Sequence, residues 1–234
     1  STSPPAPVRG SDDDGLYTLL VAGNIDQAWG ASYNADEKCL GTTTPLYTLL
    51  LAGLGLFSRD FPLLSLIVGF LSILCSALIV SDFLADHGPP ALAVYGGVLF
   101  VLFPFWYRVL GMETNFLVFL LIAALAAFHR ARYRLSFFVL GLAILTRFES
   151  VLLLVFFAAA LLAGKKPRIL LPALGILLAV VVPWFVFAHF YFGHILPNTL
   201  FVKAGIGDTG RALPELAAGL LRNLVRGSFL ESYF

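Results

Sequence analysis

The chain has 234 residues, of which 59% are hydrophobic and only 12% are charged, and its mean hydropathy is +0.89. Because soluble globular domains carry about 25% charged residues, this composition excludes an ordinary soluble domain and indicates an integral membrane protein. The formal net charge of +1 gives no support for a nucleic-acid partner.

Residues 1–44 are predicted to form an acidic extracytoplasmic loop with a helix beside the membrane. Six of the fourteen Asp and Glu residues fall within the first 37 positions, three of them in the run at residues 12–14. A helix is predicted over residues 13–25, because Asp13 or Asp14 can cap its N-terminus and favour its positive end.

Residues 45–199 are predicted to form the transmembrane domain, and residues 200–234 an amphipathic tail that we expect to be truncated. The apolar stretches are 45–57, 62–81, 90–107, 115–128, 135–163 and 169–192. The first of them is too short, as a helix rising 1.5 Å per residue, to cross a hydrocarbon core of about 30 Å. The sequence therefore predicts an all-α polytopic membrane protein with spans of unequal length.

The stretch 135–163 is interrupted near its middle by Arg147 and Glu149. The basic loops on either side of it, residues 129–134 and 164–168, are both predicted to be cytoplasmic. The stretch must then enter the membrane and return, so we predict a broken, re-entrant helix pair with residues 146–149 at its tip. Irregular backbone at that depth is tolerated where it lines a cavity or is packed within protein.

Counting the spans assigns the loops to the two faces of the membrane. The count places four features on the extracytoplasmic face: the acidic first loop, the GMETN stretch (111–115), the Arg147–Glu149 pair and the HILPNT stretch (194–199). This convergence of polar stretches on one face of the membrane is the main structural prediction from the sequence.

Several stretches resemble the GT-C superfamily of polyprenyl-phosphate-sugar-dependent membrane glycosyltransferases, most closely its bacterial mannosyl- and arabinofuranosyltransferase-like branch. They occur in family order and are DDGLYTLLVAGNI, WGASYNADEKCLGTTTPLYTLLLA, GMETNFLVFLLIAAL, LGLAILTRFES and YFGHILPNTLFVKAG. The resemblance implies a GT-C-like helical bundle and transfer of a sugar from a lipid-linked donor to an extracytoplasmic acceptor hydroxyl. The implied partners are membrane lipids, the donor, and a glycan, lipid or protein acceptor.

The resemblance and the chemistry of the residues together give a candidate site. Asp13 or Asp14 is the expected catalytic base, and the two carboxylates can also hold a divalent cation. Arg147 and Lys203 are the expected ligands of the donor phosphate. The expected contacts with sugar or acceptor are Glu113, Glu149, Tyr33, Asn34, Tyr47 and Asn198.

Each candidate also has a purely structural interpretation. Asp13 and Asp14 suit a helix cap in a solvated loop. Arg147 and Glu149 can form a mutual salt bridge at a helix break, and charges inside a span are expensive enough that such pairing is common. Glu113 can stabilise the first turn of the next helix.

Departures from the family pattern support a second hypothesis, a non-catalytic GT-C-like subunit of a larger membrane complex. Leu20 stands where the family has Arg, and Leu40 stands where it has Glu. The family's TRPEG becomes TRFES, with Phe148 and Ser150. Partner membrane subunits are expected under this hypothesis.

Overall fold

The computed structural model describes residues 44–192, and every regular element in that part of the chain is a helix. The α-helices are α1 (Pro45–Gly55), α2 (Phe61–Ala85), α3 (Pro90–Leu102), α4 (Phe105–Arg108), α5 (Glu113–His129), α6 (Tyr133–Thr146), α7 (Val151–Ala163) and α8 (Pro167–Phe192). The prediction of an all-helical protein is confirmed for this region. The acidic first loop, its predicted helix and the predicted amphipathic tail lie outside the described residues.

Three helical segments in the described region are long and apolar enough to cross a membrane: Phe61–Ala85, Pro90–Arg108 and Pro167–Tyr191. Four shorter apolar helices accompany them. Large apolar side chains remain exposed on the outside of the bundle, among them Leu152 at 71% and Phe156 at 75%. Because a soluble protein rarely exposes continuous apolar surface of this kind, the structure indicates a membrane protein.

Prolines and one aspartate set the helix starts. Pro45, Pro90 and Pro167 occupy the first positions of α1, α3 and α8, where the missing amide hydrogen costs nothing. Asp60 caps α2, its carboxylate accepting a hydrogen bond of 3.1 Å from the Leu63 amide. These local signals fix where the apolar runs become helical.

The stretch 90–107, predicted as one span, is divided in the structure. Helix α3 ends at Leu102, Phe103 takes an extended conformation with ψ of 118°, and α4 begins after Pro104. The cause is steric, because a residue before proline is pushed out of the helical region. The division places Trp106 over the end of α3, where its indole nitrogen donates 2.7 Å to the Phe100 carbonyl.

The described part of the bundle is assembled mainly from four helix pairings. Helix α2 packs against α3 and α5, α5 and α6 form an antiparallel hairpin, and α6 packs against α8. Buried hydroxyls are satisfied within the bundle, as where Ser136 of α6 donates 2.8 Å to the Ala124 carbonyl of α5. The main core lies between α5, α6, α7 and α8, with Phe137 and Leu140 fully buried at its centre.

A small residue allows α6 and α8 to approach closely. A Cβ atom at Gly141 would lie 3.1 Å from the Val180 Cβ and 3.4 Å from the Leu177 carbonyl oxygen. We expect Gly141→Ala to lower the free energy of unfolding by about 1–3 kcal/mol, the usual cost of overpacking. Unfolding in detergent measures it, and Gly175→Ala is the matched control, because nothing lies within 4 Å of the position its Cβ would take. Equal stability of the two variants would contradict this account of the α6–α8 contact.

The loops are sorted between two ends of the bundle. At the end that we call the basic end, Arg130 bonds Asp82, and Lys166 donates 3.3 Å to the Tyr133 hydroxyl. At the opposite end, which we call the Arg147 end, the turn before α5 meets the break between α6 and α7. The structure therefore separates the charged side chains of the described region into two sets, about 25 Å apart by the length of α5.

Candidate functional site

The strongest polar feature of the Arg147 end is a cation held between two carboxylates. Arg147 Nη1 lies 3.4 Å from Glu113 Oε1, and its Nη2 lies 3.3 Å from Glu149 Oε1. The Glu113 side chain is only 5% exposed, whereas those of Arg147 and Glu149 are 40% and 66% exposed. This group, which we call the Arg147 cluster, thus has one buried carboxylate and one accessible carboxylate.

The backbone around Arg147 explains why its side chain is presented there. Helix α6 ends at Thr146, Arg147 is extended with φ of −148° and ψ of 128°, and Phe148–Ser150 forms a short 3-10 turn before α7. Ser150 anchors the break, its hydroxyl donating 3.2 Å to the Ala143 carbonyl. The run 135–163 is therefore broken at the charged residues, as predicted; its re-entry into a membrane stays a prediction.

Glu113 is placed by the turn that precedes it. Gly111 adopts φ of +92°, a conformation that residues with a Cβ rarely take, and Met112 is extended. Glu113 is then the first residue of α5, where the helix dipole favours an acidic side chain. Its place in the first helical turn fits the structural interpretation of Glu113, and the side chain also pairs with Arg147. Its contact with sugar or acceptor stays a prediction.

Tyr47 supports this turn from α1. Its side chain is 1% exposed, its hydroxyl donates to the Gly111 carbonyl at the long distance of 3.5 Å, and its ring lies 5.9 Å from the ring of Phe116. The structure places its hydroxyl against the backbone of the turn, so Tyr47 supports the segment that carries Glu113. The contact of Tyr47 with sugar or acceptor stays a prediction.

Asn115 is a buried polar residue that the sequence analysis did not single out. It is 1% exposed, and its Nδ2 donates 3.2 Å to the Trp106 carbonyl. Its Oδ1 has no partner within residues 44–192. A buried acceptor without a partner costs about 1–3 kcal/mol, so this oxygen favours a nearby donor such as a water or a ligand hydroxyl. The available signal was its place in GMETN, two residues after Glu113.

An apolar groove lies beside the last turn of α6. Its volume is about 360 Å³, and aliphatic and aromatic side chains of α1, α6 and α8 line it: Pro45, Leu46, Leu49, Leu145, Pro183, Trp184 and Phe187. Leu145 is two residues before Arg147. The groove therefore offers an apolar surface close along the chain to the Arg147 cluster, a combination typical of ligand sites.

The other predicted site residues are Asp13, Asp14, Tyr33, Asn34, Asn198 and Lys203, and all six lie outside the described residues. The proposed divalent cation depends on Asp13 and Asp14. Within residues 44–192, no three His, Cys, Asp or Glu side chains are close enough to hold a metal ion. The structure thus brings Tyr47, Glu113, Arg147 and Glu149 to one end of the bundle.

Comparison of the chain with protein-family models, with characterised proteins and with solved structures gives no match.

Proposed function

We propose that this protein is a membrane glycosyltransferase that moves a sugar from a polyprenyl-phosphate-linked donor to an extracytoplasmic acceptor hydroxyl. The observation that carries the proposal is Arg147, held between a buried and an exposed carboxylate beside an apolar groove. The five stretches that resemble the GT-C superfamily supply the reaction class. The proposed localisation is the bacterial cytoplasmic membrane, with the site on its outer face.

The geometry of the Arg147 cluster supports binding of the donor phosphate. Its two ion-pair distances, 3.3 and 3.4 Å, exceed the 2.7–2.9 Å of strong charge-assisted hydrogen bonds. A phosphate can replace the exposed Glu149 as the partner of Arg147 Nη2, while the buried Glu113 stays paired with Nη1. The polyprenyl chain then occupies the apolar groove.

The proposed transfer is a direct displacement. Asp13 or Asp14 removes the proton of the acceptor hydroxyl, and the resulting oxygen attacks the anomeric carbon. The bond between that carbon and the phosphate oxygen breaks, so polyprenyl phosphate leaves with the electron pair. Arg147 stabilises the negative charge that develops on the leaving phosphate.

A transfer assay tests the proposal directly. The full chain, purified with native lipid, is incubated with a set of radiolabelled polyprenyl-phosphate sugars and an extract of cell-envelope acceptors. We expect one sugar to be transferred, with release of polyprenyl phosphate in equal amount. If a folded, monodisperse preparation neither transfers nor hydrolyses any of these donors, the proposal is contradicted.

The alternative of a non-catalytic subunit is favoured by one structural observation besides the departures at Leu20 and Leu40. Phe148, which replaces the family's proline beside Arg147, is 55% exposed at the Arg147 end. An exposed aromatic there suits contact with a second protein as well as with lipid. Copurification with a stoichiometric partner, together with no donor turnover by either protein alone, would establish the alternative.

A further inference from the structure

We propose that the basic end of the bundle is a binding site for the headgroup of an anionic phospholipid. The site is formed by the loops at residues 129–134 and 164–168, at the opposite end of the bundle from the Arg147 cluster. It is independent of the proposed transferase activity.

The two loops are joined to each other in the structure. Lys166 Nζ donates 3.3 Å to the Tyr133 hydroxyl and lies 5.6 Å from the centre of that ring. Beneath them, Phe157 of α7 stacks on Phe128 of α5 at 4.2 Å. The cations of both loops therefore form one surface and are not two unrelated charge runs.

The acidic residues at this end are already engaged by a single cation. Asp82 of α2 and Asp86, the residue after its end, both pair with Arg130, and the hydrogen bond and charge of Asp82 raise the pKa of Arg130 above its ordinary value. Five further cations are exposed on the two loops and form no ion pair with a carboxylate of residues 44–192: Arg132, Arg134, Lys165, Lys166 and Arg168. The joined surface thus carries an excess of positive charge.

The same backbone motif ends α5 and α7. In α5, Ala131 has φ of 56°, its amide bonds the Phe128 carbonyl, and the Arg132 amide bonds the Ala127 carbonyl. At the end of α7, Lys165 is the equivalent of Ala131 and has φ of 55°. Lys166 is the equivalent of Arg132. This pattern is a Schellman motif, whose left-handed position usually holds glycine.

The choice of Lys165 for that position is informative. The left-handed conformation is strained for a residue with a Cβ, and the neighbouring Gly164 has φ of −74° and does not relieve it. At the end of α7 this position carries an exposed cation next to Lys166, so Lys165 adds to the positive charge of the basic end.

The helix ends favour the same ligand. Helices α6 and α8 both begin at this end, and neither has an acidic residue in its first turn. Positive helix N-termini and clustered Lys and Arg favour phosphate groups. Exposed apolar side chains continue from the loops onto the helices, with Leu135 at 47% and Leu162 at 55% exposed, where acyl chains can lie. A headgroup phosphate with two attached chains therefore fits this surface.

Native mass spectrometry of the full chain in detergent tests the proposal, with phosphatidylglycerol or phosphatidylcholine as the titrated lipid. We expect the wild-type protein to prefer phosphatidylglycerol by at least about tenfold, given roughly fivefold per basic residue near a headgroup. The triple variant Arg132→Gln, Lys166→Gln and Arg168→Gln keeps Arg134 and Lys165 and should lose most of this preference. An unchanged preference in the triple variant would overturn the proposal.

Two further variants keep the test decisive if the triple variant fails to fold. Arg108→Gln removes an exposed cation at the opposite end and should leave the preference unchanged; a loss as large as in the triple variant would refute a local site. Lys165→Gly removes one charge while relieving the strained φ. It should bind phosphatidylglycerol about fivefold more weakly and melt at a higher temperature, whereas unchanged binding would refute the site.

Discussion

Arg147→Ala is expected to weaken both the fold and the binding of the donor. The substitution leaves the carboxylate of Glu113, 5% exposed, without its cation, at a cost of about 2 kcal/mol in the free energy of unfolding. It also removes the charged donor that we assign to the phosphate, so affinity for a polyprenyl-phosphate sugar should fall about 10–100-fold. Denaturant titration in detergent measures the first effect, and binding of a labelled donor measures the second.

Matched variants separate the two effects. The double variant Arg147→Ala and Glu113→Gln should recover most of the stability, because no buried charge remains, but it should not recover donor binding. Glu149→Gln changes a carboxylate that is 66% exposed and should cost less than about 1 kcal/mol. Recovery of donor affinity together with stability in the double variant would make Arg147 a purely structural residue.

The break at Arg147 could be predicted from the sequence because two charges interrupt an otherwise apolar run. The cost of burying a charge in a membrane makes a continuous helix through Arg147 and Glu149 unfavourable. Placing both flanking basic loops on one face of the membrane predicts an even number of crossings between them. The structure has α6 and α7 on either side of these residues. Composition, length and charge placement thus predict most helix limits in the described region, but not the division of residues 90–107 into α3 and α4.

The pairing of Glu113 with Arg147 was not predicted, although the sequence holds part of the information. The two residues lie at similar distances along the chain on either side of the tight turn between α5 and α6, so an antiparallel hairpin brings them together. Which side chains then face each other depends on helix rotation and on tertiary packing. The contact of Asn115 with Trp106 is harder still to predict. It requires the break at Pro104, which the hydropathy pattern does not indicate.

Asp13→Asn is expected to have the largest effect on activity. A general base contributes about 10²–10⁴-fold to a proton-transfer step, and an amide cannot accept the acceptor's proton, so the turnover rate should fall by that factor. Donor affinity should stay within about twofold, because the phosphate is assigned to Arg147 at a different position. Transfer of a radiolabelled sugar to acceptor measures the rate, and equilibrium binding of the same donor measures the affinity.

The three adjacent aspartates provide internal controls. Asp12 lies outside the stretch that resembles the family, so Asp12→Asn should leave the turnover rate unchanged. A loss in Asp14→Asn but not in Asp13→Asn would move the base by one residue and preserve the mechanism. Raising the concentration of a divalent cation in the assay separates two roles of these carboxylates. If the activity returns, the carboxylates are metal ligands, because a weakened metal site fills again at higher metal concentration. A missing proton acceptor is not restored in this way. Full activity in all three variants would remove the carboxylates from the mechanism and leave the Arg147 cluster as a binding site without its catalyst.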